Sequence, residues 1–319
     1  MNIVVTGATS FLGKALVDQL QKDGNQVYAV VRPGSKNLKK INTGCQGLTL
    51  IECELEDLHR LPDIIKEPCQ AFYHFGWDGS GSANRLKKDV QQKNTIDGLK
   101  ALEAARRLQC RRFLFSGSQA EYGIHREAMT EETVCSPVSE YGIAKLEFYR
   151  QAMEQTERWR QEGICDMEYI HARIFSVYGP FDHPWSLVES CIRAFSHGEY
   201  ISLGECTQTW NFLYIDDCIR ALILLMEQKK ESVSGIYNVA GPEEENRKLR
   251  DYIRLIYEGI GFHGSYSYGR RKPNAEGPAN LIPDIKKLQA ATGFRPEVSF
   301  AHGIRRTCEA ETIDRKGLI

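Results

Sequence analysis

The sequence predicts an α/β protein: a doubly wound parallel sheet with a smaller C-terminal lobe. Three observations carry that expectation. Short β-branched runs alternate with helical stretches, a glycine-bearing turn joins the first strand to the first helix, and prolines gather after residue 179. Alternation of this kind implies a parallel sheet covered by helices on both faces.

Residues 2–6 are a β-branched run leading into Gly7, and residues 11–22 carry apolar side chains at helical spacing until Gly24 ends them. Residues 27–31, 48–51, 71–75 and 112–115 are further apolar runs bounded by turn or helix signals, and residues 169–175 are another. Residues 83–108 and 141–162 hold few breakers and predict two long helices. After Tyr178-Gly179-Pro180 the pattern breaks into shorter pieces, with Pro180, Pro184, Pro242, Pro273, Pro278, Pro283 and Pro296 among them. The smaller lobe starts there.

Composition excludes several classes of function. With 26% charged and 42% hydrophobic residues over 319 positions and a net charge of −1, the chain matches a soluble globular protein and implies no nucleic-acid partner. Arg106, Arg107, Arg111 and Arg112 fall near a helix C-terminus, where cations offset the helix dipole. The apolar stretch 221–226 is too short to cross a bilayer, and the N-terminus starts directly as a strand without a signal-type segment, so a cytoplasmic protein with no membrane partner is expected. Ten cysteines without a Cys-x-x-Cys pair read as reduced thiols, and eight histidines without a ligand-like spacing predict no metal.

Gly7-Ala8-Thr9-Ser10-Phe11-Leu12-Gly13 follows a strand and opens a helix, the context a phosphate-binding turn needs. Glycine permits the tight turn, and the helix N-terminus offers amides and a partial positive charge to a pyrophosphate. The second strand ends at Val31-Arg32, with no acid to bridge ribose hydroxyls. Arg32 can instead pair with a ribose 2′-phosphate, favouring NADP over NAD; a solvated strand-end charge is the competing reading.

Tyr141 and Lys145 are four residues apart, so on a helix they share one face. The ammonium would stabilise a phenolate, making Tyr141 a general acid or base, and Ser118, expected just past a strand, would hydrogen-bond the substrate oxygen. Lys145 would also hold the cofactor ribose. A tyrosine packed on a lysine stem is the ordinary alternative.

In order and spacing, the chain resembles the extended short-chain dehydrogenases/reductases of the nucleotide-sugar epimerase/dehydratase family. The resemblance rests on Thr6-Gly7-Ala8-Thr9-Ser10-Phe11-Leu12-Gly13, His74-Phe75-Gly76, Asn94, Ser118 with Tyr122-Gly123, Tyr141 with Lys145, Arg173-Ile174-Phe175-Ser176-Val177-Tyr178-Gly179-Pro180, and Tyr214-Ile215-Asp216-Asp217. It implies a Rossmann domain of residues 1–175 plus about 210–240, a nucleotide-diphosphate-sugar lobe of about 176–209 plus 241–319, and a homodimer. It adds Glu54, Leu55, His74, Gly76 and Asn94 to the cofactor side. On the substrate side stand Trp77, Ser118, Ser176, Trp210 and Arg271. Asp78 either shapes the sugar pocket or caps its loop, and Arg270, Arg271 and Lys272 form either a diphosphate clamp or a solvated loop.

The chain also departs from the family pattern. Ser10 replaces the middle glycine, Ser176 stands where asparagine is frequent, and Gln208-Thr209-Trp210-Asn211-Phe212 lacks the usual arginine. Dehydratases of the family resemble Thr-Asp-Glu where this chain has Ser118, Gln119 and Ala120, so both elimination carboxyls are missing and dehydration is set aside. Glu121 is one position displaced and reads as structural. Arg32 tilts the remaining choice toward NADPH-dependent reduction of a 4-keto, often 6-deoxy, nucleotide sugar, with a C4 epimerase holding NAD as the alternative. A non-catalytic NADP-binding regulator stands behind both.

Overall fold

The computed structural model describes residues 1–38, 41, 44, 46–81, 84–228, 233–271 and 279–315. Ala83, Lys272, Pro273 and Pro278 lie outside them. The first half of the chain runs β1 (Asn2–Thr6), α1 (Phe11–Lys22), β2 (Gln26–Val31), β3 (Leu48–Glu52), α2 (Leu61–Ile64), β4 (Ala71–His74), α3 (Lys88–Arg107), β5 (Arg112–Ser118), α4 (Glu140–Gln161) and β6 (Glu168–Ile174). There follow β7 (Ser176–Tyr178), α5 (Leu187–Ser196), β8 (Tyr200–Ser202), β9 (Thr209–Trp210), β10 (Phe212–Tyr214), α6 (Ile215–Glu227) and β11 (Gly235–Val239). The chain closes with β12 (Arg247–Lys248), α7 (Leu249–Gly259), β13 (Ser265–Ser267), α8 (Lys286–Thr292) and α9 (Phe300–Arg315).

Seven of these strands form one parallel sheet in the order β11-β6-β5-β4-β1-β2-β3. Successive side chains on a strand face opposite ways, and both faces are buried. Val4, Phe72, Phe113 and Tyr169 join Ala101, Ala105 and Phe148 beneath α3 and α4. Ile3, Val5, Tyr73 and Leu114 join Leu16 and Leu20 of α1 and Leu222 of α6 on the other side. The expected doubly wound α/β architecture is therefore present. Among the described residues, the later part of the chain adds three two-stranded ladders, β10-β7, β12-β9 and β13-β8.

Several boundaries shift from the sequence reading, and three of the shifts have a visible cause. β4 stops at His74, where Thr6 is its last partner, so Phe75 starts the following loop. β5 continues three residues past Phe115, because β6 supplies partners as far as Ile174 opposite Ser118. α3 begins at Lys88, not near residue 83: Gln91 turns its amide back onto the Gly79 and Asn84 carbonyls, each at 3.1 Å, and holds the preceding residues as a turn.

Candidate active site

Strand order reverses at β1, whose neighbours are β2 on one side and β4 on the other. In open α/β sheets this opens a crevice beyond the strand C-termini. Gly7 leaves β1 there with φ +65°, and a Cβ on it would lie 2.7 Å from the Phe75 carbonyl carbon and 2.8 Å from the Gly76 nitrogen. A side chain at Gly13 would strike the Gly7 carbonyl. Ser10 caps α1 by accepting the Gly13 N–H at 3.0 Å, and no acid occupies the first helical turn, so the positive helix end stays available to an anion.

A cavity of about 190 Å³ occupies this crevice, with Gly7, Thr9, Ser10, Arg32, Leu55, Gly76 and Trp77 on its walls. A second cavity, of about 210 Å³, shares Thr9 and Ser10 and adds Phe11. Tight glycines, a helix N-terminus and apolar walls from Val30, Leu55 and Leu58 fit the adenosine and diphosphate parts of a dinucleotide. Gly7→Ala forces a Cβ into backbone at a left-handed φ, so it is expected to destabilise the chain by about 1–3 kcal/mol and to remove bound dinucleotide. Thermal unfolding and cofactor content check both effects, and an unchanged pair of values contradicts the argument.

Other expected cofactor residues support these walls from outside. His74 is buried, its Nδ1 is 2.6 Å from Thr6 Oγ1, and burial pushes its pKa down to about 3, so it is a neutral strut beneath the crevice. Asn94 grips the Asp78 backbone twice, donating to its carbonyl at 2.8 Å and accepting from its N–H at 2.9 Å. Leu12 packs against the core, and Glu54 is exposed at the start of a 3₁₀ turn, outside the cavity lining.

Arg32 does line the cavity, but its Nη1 lies 3.0 Å from Asp78 Oδ1, with the two side chains 61% and 52% exposed. Asp78 thus meets the charge that was expected to face a 2′-phosphate. Nothing in the sequence pairs positions so far apart, although each was singled out. Asn37, Cys53 and His183 line the cavity as well and were missed, because they come from loops and strand ends without a motif.

The relay residues gather beside the crevice. Ser118 is the last residue of β5 and caps the 3₁₀ turn Gln119–Glu121: its Oγ accepts from Ala120 N at 3.2 Å, leaving its proton for another oxygen. Tyr141 lies in the first turn of α4, after the Ser139 cap, and its N–H donates to the Arg85 carbonyl at 2.9 Å. One turn on, Lys145 places Nζ 5.5 Å from the Tyr141 ring centre and donates to the Ser116 carbonyl at 2.6 Å, tying α4 to the strand that carries Ser118.

Trp77 completes this wall. Its ring lies 4.1 Å beneath the Lys145 ammonium and meets Tyr141 edge-on at 85°, while its Nε1 donates to Gln91 Oε1 at 2.8 Å. Lys145 is only 2% exposed, and burial brings its pKa down to about 7, with Glu121 opposing the shift and Arg85 adding to it. Behind Ser118, the buried Glu121 carboxylate accepts from Arg173 Nε at 2.8 Å, from His171 Nε2 at 2.9 Å and from Ser118 N at 2.8 Å. Burial alone would raise its pKa, but His171, Arg173 and the Ser118 N–H hold it at about 2.

The substrate-side residues are less gathered. Trp210 Nε1 donates to Ser176 Oγ at 2.9 Å, which satisfies the indole N–H. Arg271 is exposed, anchored through its backbone N–H to the Leu203 carbonyl at 3.1 Å. Among the described residues, no helix is long and apolar enough to cross a membrane, and no group of three or more His, Cys, Asp or Glu is placed to hold a metal.

The sheet order and its switch-point crevice define a Rossmann-type α/β protein. Residues 3–240 match the model of the NAD-dependent epimerase/dehydratase family, and the chain belongs to that family. It is 27% identical over 315 residues to UDP-glucuronic acid decarboxylase 1 of Xenopus tropicalis, covering 96% of this chain and 70% of that one. Its fold is similar to that of UDP-glucose 4-epimerase from Thermotoga maritima, solved with UDP-glucose, at a TM-score of 0.83 and 24% identity over 100% of both chains. It is also similar to UDP-glucuronic acid 4-epimerase from Bacillus cereus, solved with UDP-glucuronic acid and NAD, at a TM-score of 0.82 and 22% identity, covering 98% and 99% of the two chains.

Proposed function

We propose that the chain is an NAD-dependent nucleotide-sugar epimerase that inverts a hydroxyl-bearing carbon of a UDP-sugar, C4 in the first instance. The observation that carries this choice over a reductase is the Arg32–Asp78 pair. Arg32 was the strongest feature favouring NADP, and its charge already faces a carboxylate that a 2′-phosphate would have to displace. The relatives that bind UDP-sugars, one of them with NAD, support the same reading. An NADPH-dependent ketoreductase is the second reading, because so exposed an ion pair is worth only about 0–1 kcal/mol and can open.

When bound, NAD would supply the hydride acceptor and then the donor. The chain's own work is proton handling. Tyr141 Oη takes the proton of the sugar hydroxyl and later returns it, Ser118 donates a hydrogen bond to the same oxygen, and the Lys145 ammonium favours the phenolate. Gly7, Ser10 and Gly13 hold the diphosphate turn, with Leu55 and Gly76 beside it. Ser176, Trp210 and Arg271 belong to the nucleotide-sugar side in this reading. A cofactor domain of residues 1–175 with about 210–240, a substrate lobe from the remainder, and a homodimer are parts of the same proposal. Ile96 on α3 and Ile143 on α4, 58% and 46% exposed, are apolar positions such a dimer would cover.

Releasing the bound nucleotide by denaturation is expected to yield NAD, and the untreated protein is expected to interconvert UDP-sugar epimers without added cofactor. Consumption of NADPH by a 4-keto nucleotide sugar, without epimer interconversion, reverses the assignment.

A further inference from the structure

Arg85, in the turn before α3, places its guanidinium carbon 4.1 Å from the centre of the Tyr141 ring. Its carbonyl accepts the Tyr141 N–H at 2.9 Å, so main chain and side chain both hold the contact. Trp77 meets the ring from the edge at a centroid distance of 6.4 Å, and Lys145 Nζ lies 5.5 Å away. The phenol therefore stands between two cations and an indole.

Only one of those cations is a fixed charge near neutral pH. Lys145 is buried against Trp77 and Phe115, and burial draws its pKa to about 7, so its charge changes where the enzyme would work. A guanidinium stays protonated throughout. Of the other ionisable groups near the relay, His74 on β4 is neutral, Glu121 beyond β5 is an anion that supports Lys145, and the fixed charge of Arg173 is paired with Glu121.

We propose that Arg85 is a positioning residue of the relay, whose stacked guanidinium supplies the permanent positive charge that favours the Tyr141 phenolate and whose carbonyl fixes the start of α4. The idea rests on Tyr141 as the acid and base of the proposed epimerase, and it adds a cation that the Tyr141–Lys145 spacing does not reveal. An opposite charge within about 4–6 Å of an acid typically shifts its ionisation by one to three pH units. Removing Arg85 therefore has a readable signature.

The test follows the Tyr141 ionisation by ¹³C NMR of tyrosine-labelled full-length protein, with Tyr141→Phe identifying the signal. Arg85→Gln is expected to move the midpoint upward by about one unit or more, and Arg85→Lys to lie between it and the native chain. In turnover of UDP-sugar, the acidic limb of kcat should move in the same direction while KM stays within about twofold. An unmoved midpoint in Arg85→Gln overturns the proposal. A raised KM with an unmoved acidic limb also overturns it and makes Arg85 a substrate contact. The NMR arm needs no substrate, so a shifted midpoint in a protein that turns over no UDP-sugar upholds the Arg85 inference and counts against the proposed reaction alone.

Discussion

Tyr141→Phe is expected to lower kcat for epimer interconversion by about 10²–10⁴-fold, the usual contribution of a positioned general acid or base. The phenyl ring keeps the surroundings that hold the tyrosine: the Arg85 guanidinium at 4.1 Å on its face and Trp77 at 85° to it. Its backbone N–H still meets the Arg85 carbonyl. Folding and dinucleotide content should therefore survive, and KM should change little, because the lost oxygen acts on the transferring proton more than on binding. Unchanged turnover in a clean assay would remove Tyr141 from the mechanism and leave the proton transfer to another group.

What the sequence made legible follows physical range. The strand–helix alternation, the Gly7–Gly13 turn and the Tyr141–Lys145 spacing are local patterns, and the sheet and crevice appear where they indicate. The Arg32–Asp78 pair joins the regions after β2 and β4, which come together because both strands flank β1. Arg85 reaches Tyr141 only because Gln91 bends the residues before α3 into a turn, which helical propensity hid. His74 is a similar case. Its place in the motif suggested a cofactor contact, while the register of β4 against β1 turns its ring beneath Thr6.

Glu121 carries the largest expected effect on stability. It was separable from the dehydratase carboxyls by one position, and its surroundings explain that displacement. The strand register sets Ser116 opposite Ala172 and Gly117 opposite Arg173, and a Cβ on Gly117 would crowd both the His171 ring at 2.5 Å and Glu121 Oε1 at 2.9 Å. The glycine thus makes room for a buried ion pair. Arg173 is 1% exposed and rests on the Tyr122 ring at 4.4 Å, with Glu121 as its counter-charge. Burial pushes His171 down, against the pull of Glu121, so the imidazole is neutral; in the tautomer that suits its partners, Nε2–H donates to the carboxylate and Nδ1 accepts from Tyr169 Oη at 2.7 Å.

Glu121→Gln leaves the Arg173 charge buried without an anion, which typically destabilises by about 3–5 kcal/mol, a large part of the roughly 5–15 kcal/mol that holds a domain folded. Urea unfolding should register that loss, and Glu121→Gln with Arg173→Met should recover part of it because no orphan charge remains. The pH dependence gives a second signature. Glu121 is held at about 2 against an ordinary 4.5, so its contribution is complete above pH 4.5 and is lost as pH falls toward 2. His74, held at about 3 against 6.5, adds a loss of the same sign between pH 6.5 and 3. Glu121→Gln should therefore flatten the acid slope below pH 4.5, the range in which the carboxylate itself titrates. An unchanged slope below pH 4.5 would show that the carboxylate is not what holds this strand end, and Ser118 with it, in place.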